Sequence, residues 1–119
     1  MKKIFFTLIL MAAVIFLNSS CKNKNELGVN LIYSATYDSD SGKSLFVKYY
    51  SLSDGSLFFI KVKGLGENEN TLSQAISASG TRYTDSFSYE CLVKGDEILA
   101  LELDENGNWE TIFSGKERK

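Results

Sequence analysis

The chain has 119 residues, a length that suits one domain, with 13 basic and 15 acidic residues and a net charge of −2. It contains no histidine and two cysteines, which excludes zinc sites of the usual type and histidine-activated serine or cysteine nucleophiles. The acidic balance argues against a nucleic-acid partner, because phosphate binding needs clustered Lys and Arg. We expect no metal and no cofactor.

The first 20 residues predict an export signal. Two lysines follow Met1, an apolar run of 14 residues extends from Ile4 to Leu17, and Asn18-Ser19-Ser20 leads into Cys21. The run is too short for a membrane-spanning helix, which needs about 20 apolar residues. Removal of residues 1–20 leaves 11 basic and 15 acidic residues, a balance that suits a basic protein partner.

The junction at Cys21 resembles the lipobox of bacterial lipoproteins, in which the cysteine is acylated and becomes the new N-terminus. The lipobox usually has Leu three positions before the cysteine, whereas this chain has Asn18 there and Leu17 one step further out. Several acyl chains such as palmitate on one cysteine anchor a protein stably. The resemblance implies a lipoprotein of the bacterial cell envelope, anchored in the outer membrane and facing the periplasm. Residues 21–29 would then be the lipidated cysteine and a polar tether, and residues 30–119 the folded domain.

From Asn30 onward, short runs of alternating polarity are separated by turn residues rich in Gly, Asn and Asp, a pattern typical of β-strands. Seven or eight strands at this spacing predict an all-β domain, either an antiparallel sandwich or a small barrel. The runs are NLIYSATY (30–37), SLFVKYYS (44–51), SLFFIKVK (56–63), TLSQAIS (71–77), SFSYECL (86–92), EILALEL (97–103) and NWETIFS (108–114).

The alternation also predicts which side chains fill the interior. The expected inward sets are Leu45, Val47 and Tyr49; Phe58, Ile60 and Val62; Phe87, Tyr89 and Cys91; and Trp109, Thr111 and Phe113. If Cys21 carries lipid, Cys91 has no disulfide partner, and we interpret it as a buried small hydrophobic residue rather than a reactive thiol.

Two short loops carry the functional signal. Ser79-Gly80-Thr81-Arg82-Tyr83 and Lys94-Gly95-Asp96-Glu97 resemble the Ser-Gly-x-x-Tyr motif and the Lys-Gly turn of the membrane-bound inhibitors of C-type lysozyme. LSQAISA (72–78) is similar to the family's lead-in to the first motif. The first hairpin, 37–42 followed by LFVKYY, is also similar, so the resemblance covers most of residues 34–103 and is specific within 77–97.

The resemblance implies an eight-stranded antiparallel barrel that closes the lysozyme cleft with two loops. Ser79 and Lys94 would contact the enzyme's catalytic carboxylates, and Gly80 and Gly95 would allow a close approach of each loop tip. Tyr83 is expected to pack beneath the first loop. The rim candidates are Arg82, Asp96 and Glu97.

The chain departs from the family pattern at its cysteines. Ser39 stands where the family usually has a cysteine paired near the C-terminus, and no cysteine follows Cys91. Loss of such a bridge costs about 2–4 kcal/mol of stability. Two further departures are Cys91-Leu92 in place of an aromatic pair, and Ile98 in place of Ala.

Two other functions fit the same fold. The barrel is also compatible with a binding module for a small apolar ligand or a surface polymer, which would need an open interior pocket of a few hundred Å³. A structural envelope lipoprotein is the other alternative. An enzyme is not expected, because acidic pairs such as Asp104 and Glu105 lie in a turn with Asn106 and Gly107.

Overall fold

The structure, a computed structural model, describes residues 26–119. The expected signal peptide (1–20), the lipidation site Cys21 and the tether up to residue 25 lie outside the described residues. Within residues 26–119, no helix has the length and apolarity needed to cross a membrane.

Eight antiparallel strands form a closed barrel in which each strand pairs with its neighbours in sequence and β8 pairs with β1. This confirms the all-β prediction and the eight-stranded barrel that the resemblance implied. The strands are β1 (Val29–Ser39), β2 (Ser44–Leu52), β3 (Phe58–Lys63), β4 (Asn70–Ala75), β5 (Thr81–Thr84), β6 (Tyr89–Lys94), β7 (Glu97–Leu103) and β8 (Trp109–Glu117).

The barrel interior is filled by one cluster of apolar side chains, and each of the eight strands contributes to it. Inward positions alternate with outward ones, as the pleat of a strand requires. The buried members are Ala35, Tyr37, Leu45, Val47, Ile60, Val62, Leu72, Tyr83, Cys91, Ile98, Ala100 and Phe113. Because all eight described strands and the cluster of the described residues lie within residues 29–117, we expect a fragment of residues 26–119 to fold on its own.

Cys91 is fully buried and unpaired, as predicted. Burial raises the pKa of its thiol to about 12, which suppresses the nucleophilic thiolate. Its role in the described structure is therefore packing.

The predicted inward position of Phe87 is wrong, and Phe58 is less buried than predicted. Phe87 is 81% exposed, because it lies in the loop before β6, where Asp85 Oδ1 accepts hydrogen bonds from three successive backbone N–H groups and Ser86 has a φ of 66°. Phe58 is 42% exposed, because it is the first residue of β3 and lies at the open mouth of the barrel. Phe87 precedes the first residue of β6, so the alternation of that strand does not extend to it.

The predicted inward position of Thr111 in β8 is also wrong. Ala100 pairs with Phe113 but Leu101 pairs with Thr111, so the register shifts and Ile112 is the extra residue of a bulge. Thr111 is consequently exposed, although Phe113 is buried.

The barrel closes at a short seam between β1 and β8. Only three residue pairs form this ladder, ending with Ser39 opposite Gly115. Beyond it, the Arg118 guanidinium donates from Nε and Nη2 to the two carboxylate oxygens of Asp38, both at 2.7 Å, and the Arg118 backbone N–H donates to Thr36 O at 2.7 Å. Ser39, where the family resemblance implies a cysteine, also lies at this seam. The bidentate ion pair joins β1 to the end of β8 in the same region.

Removal of the Arg118 side-chain charge tests this closure. Arg118 and the Ser44 hydroxyl lower the pKa of Asp38 to about 2, so the ion pair contributes to stability above the ordinary carboxyl pKa and loses that contribution as pH falls through about 2. We expect Arg118→Gln to lower the thermal unfolding midpoint at pH 7 and to raise the Asp38 pKa towards its ordinary value, measured by circular dichroism and by NMR titration. Lys119→Gln is the matched control, and equal midpoints for the two variants would contradict the account.

Candidate functional site

The two loops with the functional signal are neighbours at one end of the barrel. The β4–β5 loop (76–80) precedes β5 and the β6–β7 turn (95–96) follows β6, and these two strands pair with Thr81 opposite Val93. The pairing of β5 with β6 therefore places Ser79-Gly80 directly beside Lys94-Gly95. Sequence reasoning treated residues 79–83 as a loop motif, whereas Thr81–Thr84 is the short strand β5 that creates this juxtaposition.

Gly80 is required by the contact between the loops. Its φ is 70°, and a Cβ at this position would lie 2.6 Å from Val93 O and 3.3 Å from the Lys94 Cβ. A larger residue would meet backbone, which has little freedom to move, and would also adopt an unfavourable φ. The loop thus depends on glycine for its own packing against β6.

The Lys-Gly turn has a different requirement. Lys94 pairs with Glu97, which leaves Gly95 and Asp96 as a two-residue hairpin turn. Gly95 has a φ of 60°, and a Cβ at this position would meet nothing within 4 Å, a pattern typical of a type II′ turn with glycine in the first position. Glycine here shapes the turn and leaves open space above it.

The sequence did not predict two side-chain contacts that hold the Ser-Gly loop. The Ser77 hydroxyl donates to Ser79 O at 2.8 Å. Arg82, expected at the rim, forms an ion pair through Nε with Glu90, which is buried, and donates from Nη1 to Ile76 O at 3.5 Å. The (i, i+2) spacing of Ser77 and Ser79 is typical of a serine turn, so the first contact could have been predicted from the sequence. The Arg82–Glu90 contact depends on the β5–β6 register, which the sequence of either strand alone does not specify.

Ser79 and Lys94 are both exposed and line one open groove. The groove has a volume of about 540 Å³ and continues over β6, β7 and β8 to the end of β1. Among the described residues, no carboxylate lies within ion-pair distance of Lys94, whereas the neighbouring cations Lys116 and Arg118 lie 3.8 Å from Glu97 and 2.7 Å from Asp38. Lys94 therefore presents an ammonium group that intramolecular contacts leave available.

Comparison with protein-family models matches residues 37–109 to "Membrane-bound lysozyme-inhibitor of c-type lysozyme". The matched region covers more than half of the chain and includes both loops. The chain belongs to this family. Membership supports lysozyme inhibition and membrane association as its general function, and an inhibitory role rather than a catalytic one. Searches of curated proteins and of solved structures gave no match.

In this lysozyme-inhibitor barrel, a cluster of tyrosines lines the recess beside the Lys-Gly turn. Tyr37 Oη and Tyr49 Oη are 2.6 Å apart, and the Tyr83 ring packs edge-on against Tyr49 with centroids 6.0 Å apart. Burial raises the pKa of all three phenols. Tyr83 is 8% exposed and belongs to the buried cluster of the barrel interior.

The alternative of a ligand-binding lumen required an open interior. In the described part of the chain, Ile60, Val62, Leu72, Cys91 and Ala100 are fully buried and fill the barrel centre. A recess of about 330 Å³ lies only at the mouth, above the tyrosine cluster and beside Gly95. The interior geometry therefore favours the inhibitor over the lumen-binding module.

Substitution of Gly80 separates loop packing from backbone strain. Gly107 is the matched control, because its φ is 82° but nothing lies within 4 Å of a Cβ there. We expect Gly107→Ala to cost about 1 kcal/mol of unfolding free energy from the positive φ alone, and Gly80→Ala to cost about 1–3 kcal/mol more from the clash with Val93 O. Guanidinium denaturation of both variants measures the difference, and equal losses would show that Gly80 is not needed for close contact.

Proposed function

We propose that the chain inhibits C-type lysozyme by inserting the Ser-Gly loop and the Lys-Gly turn together into the active-site cleft. Ser79 and Lys94 contact the enzyme's two catalytic carboxylates. The observation that supports this is that the β5–β6 pairing makes the two loops adjacent. Lys94 is exposed there and has no carboxylate partner among residues 26–119.

The chemistry of a retaining glycosidase explains why a lysine is effective there. Such an enzyme needs one protonated carboxylic acid with a raised pKa and one ionised carboxylate. An ammonium group in the closed cleft forms a charge-assisted hydrogen bond to a carboxylate and favours its ionised form. The acid then lacks the proton that cleavage of the glycosidic bond requires.

Serine contributes the second contact. A hydroxyl donates one hydrogen bond and accepts others, so Ser79 donates to one carboxylate while its oxygen remains available to enzyme N–H groups. Gly80 and Gly95 have no side chain that would prevent a close approach of the loop tips to the enzyme. Tyr83 packs beneath the first loop. The Ser77 hydroxyl, which donates to Ser79 O, restrains the first loop and reduces the conformational entropy that it loses on association.

The membrane attachment is proposed from the sequence and from the family. Signal removal after residue 20 and acylation of Cys21 would anchor the chain in the outer membrane facing the periplasm, with residues 21–29 as tether and 30–119 as the inhibitory domain. Membrane association is a property that the family name carries, whereas the lipid, the compartment and these boundaries are part of the proposal.

Inhibition by a soluble fragment tests the residue assignment. We expect residues 22–119 to slow lysozyme-driven clearing of a cell-wall suspension, and Ser79→Ala and Lys94→Ala each to weaken inhibition. For Lys94 the expected loss is about 2–5 kcal/mol, because truncation leaves a buried carboxylate without its charged partner.

Lys119→Ala is the matched control, since it removes an exposed cation at the end of the chain and outside the groove. If the folded double variant at Ser79 and Lys94 inhibited as well as the unmodified fragment, the assignment of these residues would be wrong. If the unmodified folded fragment did not inhibit, the proposed function itself would be wrong.

A further inference from the structure

A second charged surface lies on the outside of β2 and β3. Lys48 pairs directly with Lys61, and Phe46 pairs with Lys63, so three lysines and one phenylalanine occupy neighbouring outward positions. We refer to Phe46, Lys48, Lys61 and Lys63 as the basic face. These side chains and Glu69 line a depression of about 340 Å³.

The basic face is unfavourable for the isolated domain. Directly opposed like charges destabilise an antiparallel sheet, and the compensation within the described residues is one contact, between Lys61 Nζ and Glu69 Oε1 at 4.0 Å. Residues 26–119 contain nine basic and fifteen acidic residues, so a third of the cations are collected on this one face of an acidic domain. Such a concentration indicates an anionic partner.

Aromatic side chains accompany the lysines. Phe46 is 51% exposed, and Tyr50 stacks on Phe59 with ring centroids 5.2 Å apart on the same outer surface. Lysines with long apolar stems beside aromatic rings match the boundary of a phospholipid bilayer, where the ammonium groups meet phosphates and the rings lie at headgroup level.

The basic face and the groove lie on different sides of the barrel. In a closed ring of eight strands, β2–β3 lies four strands away from β6–β7, which is the opposite side of the barrel. The groove with Ser79 and Lys94 extends over β6, β7 and β8 and reaches the end of β1, so most of its lining lies on that opposite side. A surface that rests on β2–β3 therefore leaves the groove facing away from it.

We propose that the basic face docks on the anionic phospholipid surface of the membrane and orients the groove towards soluble lysozyme. The tether fits this arrangement, because the eight residue-to-residue steps from Cys21 to Val29 span at most about 28 Å and β1 is the direct neighbour of β2. The orientation rests on the proposed function of the groove, whereas the contact with lipid does not.

Vesicle binding by residues 26–119, which lack Cys21, Lys22 and Lys24, tests the contact. We expect co-sedimentation with vesicles of phosphatidylglycerol and phosphatidylcholine, falling with added NaCl, and none with phosphatidylcholine alone. Lys48→Gln/Lys63→Gln should weaken binding about 25-fold, since a lysine near an anionic surface contributes about fivefold. Lys43→Gln/Lys119→Gln, which makes the same charge change outside the basic face, should change binding less than about twofold.

Lysozyme inhibition in solution separates this proposal from the proposed function. We expect Lys48→Gln/Lys63→Gln to inhibit soluble lysozyme as well as the unmodified fragment does, because the basic face is remote from the groove. Equal vesicle binding by the two double variants, or absence of binding to anionic vesicles, would overturn the docking surface whatever the inhibition assay shows. Reduced inhibition by the Lys48/Lys63 variant in the absence of vesicles would overturn the orientation.

Discussion

Closure of the barrel at the β1–β8 seam is the constraint on which the other features depend. Three ladder pairs and the bidentate Asp38–Arg118 ion pair join the first strand to the last. Closure removes the edges of the sheet at the seam and allows one apolar cluster to fill the interior, with no disulfide within residues 26–119. The same closure fixes the order of strands around the ring, and therefore which loops share an end and which faces lie opposite each other.

The position of the two loops follows from the order of strands around the ring. Adjacent β5 and β6 bring a serine and a lysine from separate loops to one groove, and the tyrosine cluster lines the recess beside the Lys-Gly turn. Under the proposed mechanism these two side chains act on another protein's carboxylates, which agrees with a chain that has no histidine and a buried cysteine. On the opposite side, the lysines of β2 and β3 provide the surface through which we propose that the barrel meets the membrane.

Period-two alternation predicted the strands and most of the core, because inward side chains of a small barrel must be apolar and outward ones need not be. It failed at Phe87, where Asp85 organises a loop through local hydrogen bonds, and at Thr111, where a bulge shifts the register. The Ser79 and Lys94 motifs were identifiable from a family resemblance. The Arg82–Glu90 and Asp38–Arg118 ion pairs and the basic face depend on the register between strands, which alternation within single strands does not specify.

The central claim is that the two loops occupy the lysozyme cleft, and competition with an oligosaccharide that fills the cleft tests it most directly. The affinity of residues 22–119 for C-type lysozyme would be measured by calorimetry with and without a saturating chitotriose. The account predicts that the apparent dissociation constant rises in proportion to the oligosaccharide concentration, as expected for two ligands that exclude each other. An unchanged affinity, with inhibitor and oligosaccharide bound to lysozyme together, would contradict it.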